Sequence, residues 1–220
     1  MDTRIKTPFN CIVSGASGTG KTTFVFNMLY LRDVLFTKVP ERIFVYYKYN
    51  QNIYREMLRR KIINELIPIT NDINYEDIVE KVSPYAKGNG SLIVIDDAML
   101  MISNDFEQLF TNLSHHQNCS VIFLTQNLFY KDKTYRTMSL NTHYFVIMKN
   151  PRDYQQLQAL ARQICPGNTT YVTKSYKDAT KSSYRYLFLD FKPDSPSSLR
   201  LRTNLFPHEF PYMVYMETGY

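Results

Sequence analysis

A chain of 220 residues, 44% of them hydrophobic, can bury the core of one α/β domain without a second. Its 26 basic side chains against 20 acidic ones leave a net charge of +6 and a pI near 9.1, a balance that suits a polyanionic partner. Three scattered cysteines, the lack of any apolar run of roughly eighteen residues and charged Asp2, Arg4 and Lys6 at the start argue against a disulfide framework, a zinc site, a membrane-spanning segment and secretion. The expectation is a soluble intracellular protein with Cys11, Cys119 and Cys165 as small core residues.

The first element is a short buried strand, Asn10–Ser14, followed by a loop that holds three of the chain's 7 glycines. Gly15, Gly18, Gly20, Lys21 and Thr22 fit the spacing G-x-x-x-x-G-K-[ST]. In that pattern glycine torsions let successive backbone N–H groups turn onto phosphates at a helix N-terminus. Lys21 is expected to reach the β- and γ-phosphates and the Thr22 hydroxyl to ligate Mg²⁺, with Ser17, Thr19 and Thr23 completing the nucleotide-binding set. The ligand expected is ATP. A helix over Lys21–Arg32, apolar at Phe24, Phe26, Met28, Leu29 and Leu31, supplies the required strand–loop–helix setting.

Further along, the spacing predicts a strand at Arg42–Tyr47, helices over Asn52–Leu66 and Tyr75–Val82, and a fully buried strand at Ser91–Asp97. An amphipathic helix is expected over Asn104–His116, capped by Ser103 or Asn104, and a buried strand over Cys119–Asn127. A polar loop containing Arg136, a strand at His143–Asn150, a helix opened by Pro151 and running to Ile164, and a strand at Tyr184–Phe191 complete the pattern. Alternating units with nearly continuous apolar strands point to a mostly parallel sheet covered by helices on both faces. The aromatic tail, Phe206–Tyr220, reads as an ordered arm for a neighbouring subunit or a frayed end, with the arm favoured.

Asp96 and Asp97 close a strand of apolar residues. An acid at that point holds the Mg²⁺ shell opposite the loop threonine, a role assigned to Asp96. A second acid directly after it is where ATPases with an additional sheet strand keep the base that polarises the attacking water, so Asp97 is the expected catalytic carboxylate. Gln126, after the next buried strand, takes the place of a polar sensor for the γ-phosphate. Arg136 is the first choice for an arginine acting on a neighbour's site, ahead of Arg152 and Arg162. His115 and His116 are adjacent on a helix and point about 100° apart, which suits helix-end packing better than metal binding.

The order of "CIVSGASGTGKTTF", "LIVIDDAM", "FEQLFTNLSHHQNCSVIFLTQNLF", "YRTMSLNTHYFVIMKNPRD" and "YRYLFLDFKPDSPSSLRLRTNLFP" resembles the packaging ATPases of Polinton (Maverick) elements and adintovirus-like viruses. These belong to the FtsK/HerA superfamily and are similar to the poxvirus A32-type packaging ATPase. The resemblance runs from Phe9 to about Pro207. It implies a RecA/FtsK-like, additional-strand P-loop fold, ATP and Mg²⁺ as cofactors, and Lys21, Thr22, Asp96, Asp97 and Gln126 in the roles given above. It also implies a homo-oligomeric ring, pentamer or hexamer, that drives double-stranded DNA into a preformed capsid and docks on capsid or portal-vertex proteins. Its place is the site of virion assembly in the host cell, nucleus or cytoplasm, with association to the virion. The pair Asp-Asp departs from the Asp-Glu of many ring ATPases, so slow intrinsic turnover is expected. Arg59–Lys61 and Lys131–Arg136 are the basic clusters expected to track DNA phosphates without reading sequence. A small-molecule P-loop kinase and a non-catalytic, ATP-binding assembly factor are the alternative readings.

Overall fold

The computed structural model describes residues 2–70, 73–96, 104–128, 133–151 and 154–217. In chain order the strands are β1 Asn10–Ser14, β2 Arg42–Tyr47, β3 Glu65–Pro68, β4 Ser91–Asp96, β5 Cys119–Thr125, β6 Tyr144–Met148, β7 Tyr186–Asp190, β8 Leu201–Thr203 and β9 Met213–Tyr215. The helices are α1 Lys21–Tyr30, α2 Arg32–Leu35, α3 Asn52–Arg59, α4 Tyr75–Val82, α5 Asn104–Thr111, α6 Leu113–His116, α7 Lys133–Leu140, α8 Tyr154–Ile164 and α9 Thr169–Ala179.

Among the described residues the nine strands lie in one sheet, ordered β3-β2-β4-β5-β1-β6-β7-β8-β9. Every pairing from β3 to β6 is parallel, and β7, β8 and β9 add antiparallel strands at the far side. Successive side chains of a strand alternate between faces, and both faces are dry here. Ile12, Ile93, Ile95, Val121, Phe123 and Ile147 pack with α4 to α9 in one core. Cys11, Val13, Val94, Ile122, Leu124 and Val146 pack with α1, α2 and α3 in the other. This is why β1, β4, β5, β6 and β7 are apolar almost throughout: neither face of these strands meets water. Among the described residues no helix is long and apolar enough to cross a membrane.

Several elements differ from the sequence expectation. The helix expected to reach Leu66 stops at Arg59, because Lys61 adopts a left-handed φ of 56°. The chain then turns onto the edge of β2, where the Asn64 side chain accepts the Ile43 N–H at 2.8 Å and β3 begins. The helix expected over Asn104–His116 breaks at Asn112 into α5 and α6, and its cap falls outside the described side chains. The polar loop expected around Arg136 is a helix, α7, whose Tyr135 and Met138 are 1% and 0% exposed. Apolar contacts at i and i+3 hold that helix to the core while Arg136 stays exposed.

Helix α9 was not foreseen, since its Thr-Thr-Tyr-Val-Thr run is rich in β-branched residues. Asn168 caps it by accepting the Tyr171 N–H, and Val172, Tyr176 and Ala179 are buried on one face. Burying each large apolar side chain contributes about 1.5–3 kcal/mol, against propensity deficits of about 0.7 kcal/mol or less per residue. Packing therefore decides the helix. The tail is held by its own chain as far as residue 217: β9 pairs with β8, and the Tyr215 hydroxyl donates to Asp178 at 2.7 Å. Phe206 is buried against Phe24 and Tyr186, whereas Phe210 is 88% exposed. Cys11 and Cys119 are core residues; Cys165 is only half-buried.

Candidate functional site

β1 stands in the middle of the strand order and pairs in parallel with β5 and β6, so the glycine loop leaves the middle of the sheet at the C-terminal ends of its neighbours. Open α/β sheets bind ligands at that edge. The Gly15 N–H donates to the Thr125 carbonyl of β5 at 3.1 Å and anchors the loop start. A Cβ on Gly15 would stand 2.7 Å from Met148 Cβ and 2.6 Å from Thr19 Oγ1, so only glycine fits between β6 and the loop. Gly20, with φ 97°, turns the chain into α1 as its N-cap and makes no side-chain cap hydrogen bond. The first-turn amides of α1 thus carry no side-chain acceptor at the cap position, as suits a helix end that meets an anion.

The Lys21 ammonium folds over the loop and donates to the carbonyls of Gly15 at 2.6 Å and Ala16 at 3.1 Å. Opposite it, Asp96 closes β4 and is 7% exposed. Its carboxylate accepts from the Gln51 side-chain amide at 3.0 Å and from the Tyr54 hydroxyl at 2.5 Å. Tyr54 is fully buried in α3, and Gln51 is the N-cap residue of that helix. A carboxylate so buried keeps its place because donors from the segment after β2 hold it.

Loop, α1 start and strand ends enclose a cavity of about 850 Å³. Ser17, Gly18, Gly20, Lys21, Thr22 and Thr23 of the expected nucleotide set line it, with Asp96 and Gln126 on the same cavity. Gly15 and Thr19 do not line it, the Thr19 hydroxyl donating to the Ala16 carbonyl at 2.8 Å. Gln126 is exposed immediately after β5. Asp97, Lys131 and Arg152 lie outside the described residues. Arg136 and Arg162 are exposed on α7 and α8 and do not line the cavity. His115 and His116 are exposed at the end of α6. Arg59 and Arg60 both bond to Glu56, at 2.8 and 2.5 Å, which offsets part of that basic cluster and holds the Glu56 carboxyl at about 2.

The sequence reading missed Gln51 and Tyr54, which no motif marks, and the far wall of the cavity, made by Ser183–Tyr186, Phe206, His208 and Glu209. In that wall Arg185 pairs with Glu209 at 3.2 Å, and Glu209 also accepts from the buried Tyr186 hydroxyl. Burial, more than the adjacent Glu209 charge, raises the Tyr186 pKa far above the usual phenol value, so this hydroxyl remains a donor. The only sequence signal is the burial pattern of β7.

A glycine loop between a central parallel strand and a helix N-terminus, facing an acid at the end of β4, defines a P-loop NTPase. β5 lies between β1 and β4, which is the additional-strand arrangement. The profile of the family described as Poxvirus A32 protein matches residues 1–165, and the chain belongs to that family of packaging ATPases. No curated protein sequence matches it. Among solved structures, its fold is similar to that of the genome packaging NTPase B204 from Sulfolobus turreted icosahedral virus 2, in complex with ATP-gammaS. That match has a TM-score of 0.56 and 13% identity, and it covers 89% of this chain and 96% of B204. The cytoplasmic domain of the Thermomonospora curvata type VII secretion ATPase EccC matches with a TM-score of 0.53 and 12% identity. That match covers 88% of this chain but only 25% of EccC.

Proposed function

We propose that this chain is one subunit of a homo-oligomeric ring that hydrolyses ATP to move double-stranded DNA into a preformed capsid at the site of virion assembly. The observation that carries this reading is the convergence of Lys21, Thr22, Asp96 and Gln126 on one cavity at the sheet's C-terminal edge. The Thr22 hydroxyl and Asp96 carboxylate are hard oxygen donors, the set that Mg²⁺ takes together with phosphate oxygens and water. These two residues would hold the ion, which when bound neutralises charge on the phosphates. Lys21 would orient the β- and γ-phosphates, Gln126 would contact the γ-phosphate or the water, and Asp97, next in the chain, would polarise that water.

An arginine of a neighbouring subunit would complete the site. Arg136, exposed and not part of the lining of its own cavity, fits that demand, and such a group is worth about 10³–10⁵ in rate where measured. The exposed basic groups around Lys61 and Arg136 supply a sequence-independent hold on DNA, and capsid proteins would seat the ring.

The test is steady-state ATP hydrolysis against protein concentration, with and without double-stranded DNA, over a salt series. Turnover is expected to rise more than linearly with protein and to increase with DNA. DNA affinity is expected to fall linearly in log–log form with salt, by a slope of about 0.9 per phosphate neutralised. Turnover strictly linear in protein and unaffected by DNA would remove the ring-motor reading.

A further inference from the structure

Tyr184 sits where packing alone gives no reason for an aromatic residue. It is 69% exposed, and its φ of 60° lies in a region sparsely populated by bulky residues. Its ring nevertheless covers the phosphate loop: a Cβ on Gly20 would be 3.3 Å from Tyr184 Cδ1. Strained, exposed and beside a cavity, such a residue points to a ligand.

The sheet order gives the cavity a direction. From β1, the strands that lead to Gln126 and Asp96 are β5 and β4 on one side, and the strand that follows Tyr184 is β7 on the other, beyond β6. Because β7 is antiparallel and Tyr186 pairs with Met148, its N-terminal end lies at the same sheet edge as the glycine loop. The reacting phosphate belongs on the β4 side, so the rest of the nucleotide must extend toward β7. There it meets Tyr184 and the His208 ring, which is stacked on Phe206 with centroids 5.6 Å apart and planes 11° apart.

We propose that Tyr184 is the platform on which the base of the bound nucleoside triphosphate stacks, with Phe206–Glu209 closing the base and ribose end of the cavity. The proposal rests on the ATP reading above and adds to it the half of the site that recognises the nucleoside. Residues 183–209 lie outside the segment matched by the family profile, so this end of the cavity belongs to the chain's C-terminal part.

Calorimetric titration of the full chain with MgATP and, separately, with inorganic tripolyphosphate tests it, using wild type, Tyr184→Ala and Tyr184→Phe. Both replacements keep a Cβ at the left-handed position, so neither frees the backbone as a glycine would. ATP affinity is expected to fall about tenfold in Tyr184→Ala, in keeping with the loss of one base–aromatic stack, and to return to within about twofold of wild type in Tyr184→Phe. Tripolyphosphate affinity should be the same in all three proteins. Unchanged ATP affinity in Tyr184→Ala, or equal loss for both ligands, would overturn the base platform alone. A wild-type chain that binds neither ligand would overturn the ATP reading and the platform with it.

Discussion

Replacing Lys21 by alanine is expected to lower ATP turnover by at least about 10²-fold while the chain remains folded. The rate effect follows from the geometry of the loop. Among the described residues the ammonium is the one lysine charge lining the cavity, and removing a preorganised donor from developing charge typically costs about 10²–10³ in rate. The fold should tolerate the change, because Lys21 is half-buried, belongs to neither hydrophobic core, and donates to the Gly15 and Ala16 carbonyls within the loop. Net contributions of about 1 kcal/mol per hydrogen bond translate into a melting-temperature fall of a few degrees for a chain of this size. Lys21→Met keeps the apolar stem and removes only the charge, so it should be as inactive as the alanine variant. Turnover within tenfold of wild type in Lys21→Met, measured with saturating ATP and DNA, would mean that the charge is not used in the reaction.

The site residues that were legible in the sequence are those whose role is local. The glycine loop needs a strand before it, a helix after it and glycines at fixed offsets, and all three are consecutive in the chain. Asp96 was legible because a buried apolar strand ending in acid follows a phosphate-binding glycine loop, and the two signals together define the site. Gln51, Tyr54 and Tyr184 were not legible, because each reaches the site through tertiary placement. Tyr54 sits on a helix whose hydrophobic spacing says only that one side is buried, and its hydroxyl meets Asp96 only through the tertiary placement of α3. The strand–helix alternation was read well where strands are buried on both faces. It failed at β3, α7, α9, β8 and β9, which are short or carry residues of the wrong propensity. There the outcome was set by contacts with the core or with the edge of an existing strand, which propensity does not contain.

The antiparallel half also rests on a buried ion pair whose loss should be strongly destabilising. Arg202 in β8 is 1% exposed and donates to Asp190 of β7 at 2.8 Å, to the Thr3 carbonyl at 2.8 Å and to the Tyr212 hydroxyl at 3.1 Å. Its guanidinium lies 4.7 Å from the Phe188 ring centroid, and Asp190 also accepts from Ser195 and the Lys192 N–H. One side chain therefore ties the N-terminal segment, two strands and the tail that leads from the cavity wall into β9. Removing one partner of such a pair typically costs about 3–5 kcal/mol, on the order of 10 °C in melting temperature here.

The two partners should fail differently with pH. Burial raises the Asp190 carboxyl above its ordinary 3.8, against the opposing effect of Arg202. The native state thus holds this proton more tightly than the unfolded chain, so the group favours folding most at acid pH, and that contribution is lost as pH rises through the folded value. Taking away the opposing charge in Arg202→Met raises the folded value further. Its stability deficit relative to wild type should therefore be smallest near pH 5 and widen toward pH 8. In Asp190→Asn the guanidinium stays charged throughout, because it does not deprotonate in this range, and the proton-linked contribution of Asp190 is gone, so the deficit should be large and greatest on the acid side, narrowing rather than widening as pH rises. His143 is held down to about 4 by burial, so it stays neutral across the window and does not imitate the effect. Chemical denaturation of wild type and both variants at pH 5 and pH 8 decides the matter. A flat deficit in Arg202→Met, or one that shrinks as pH rises, would show that Asp190 does not hold its proton more tightly in the folded chain.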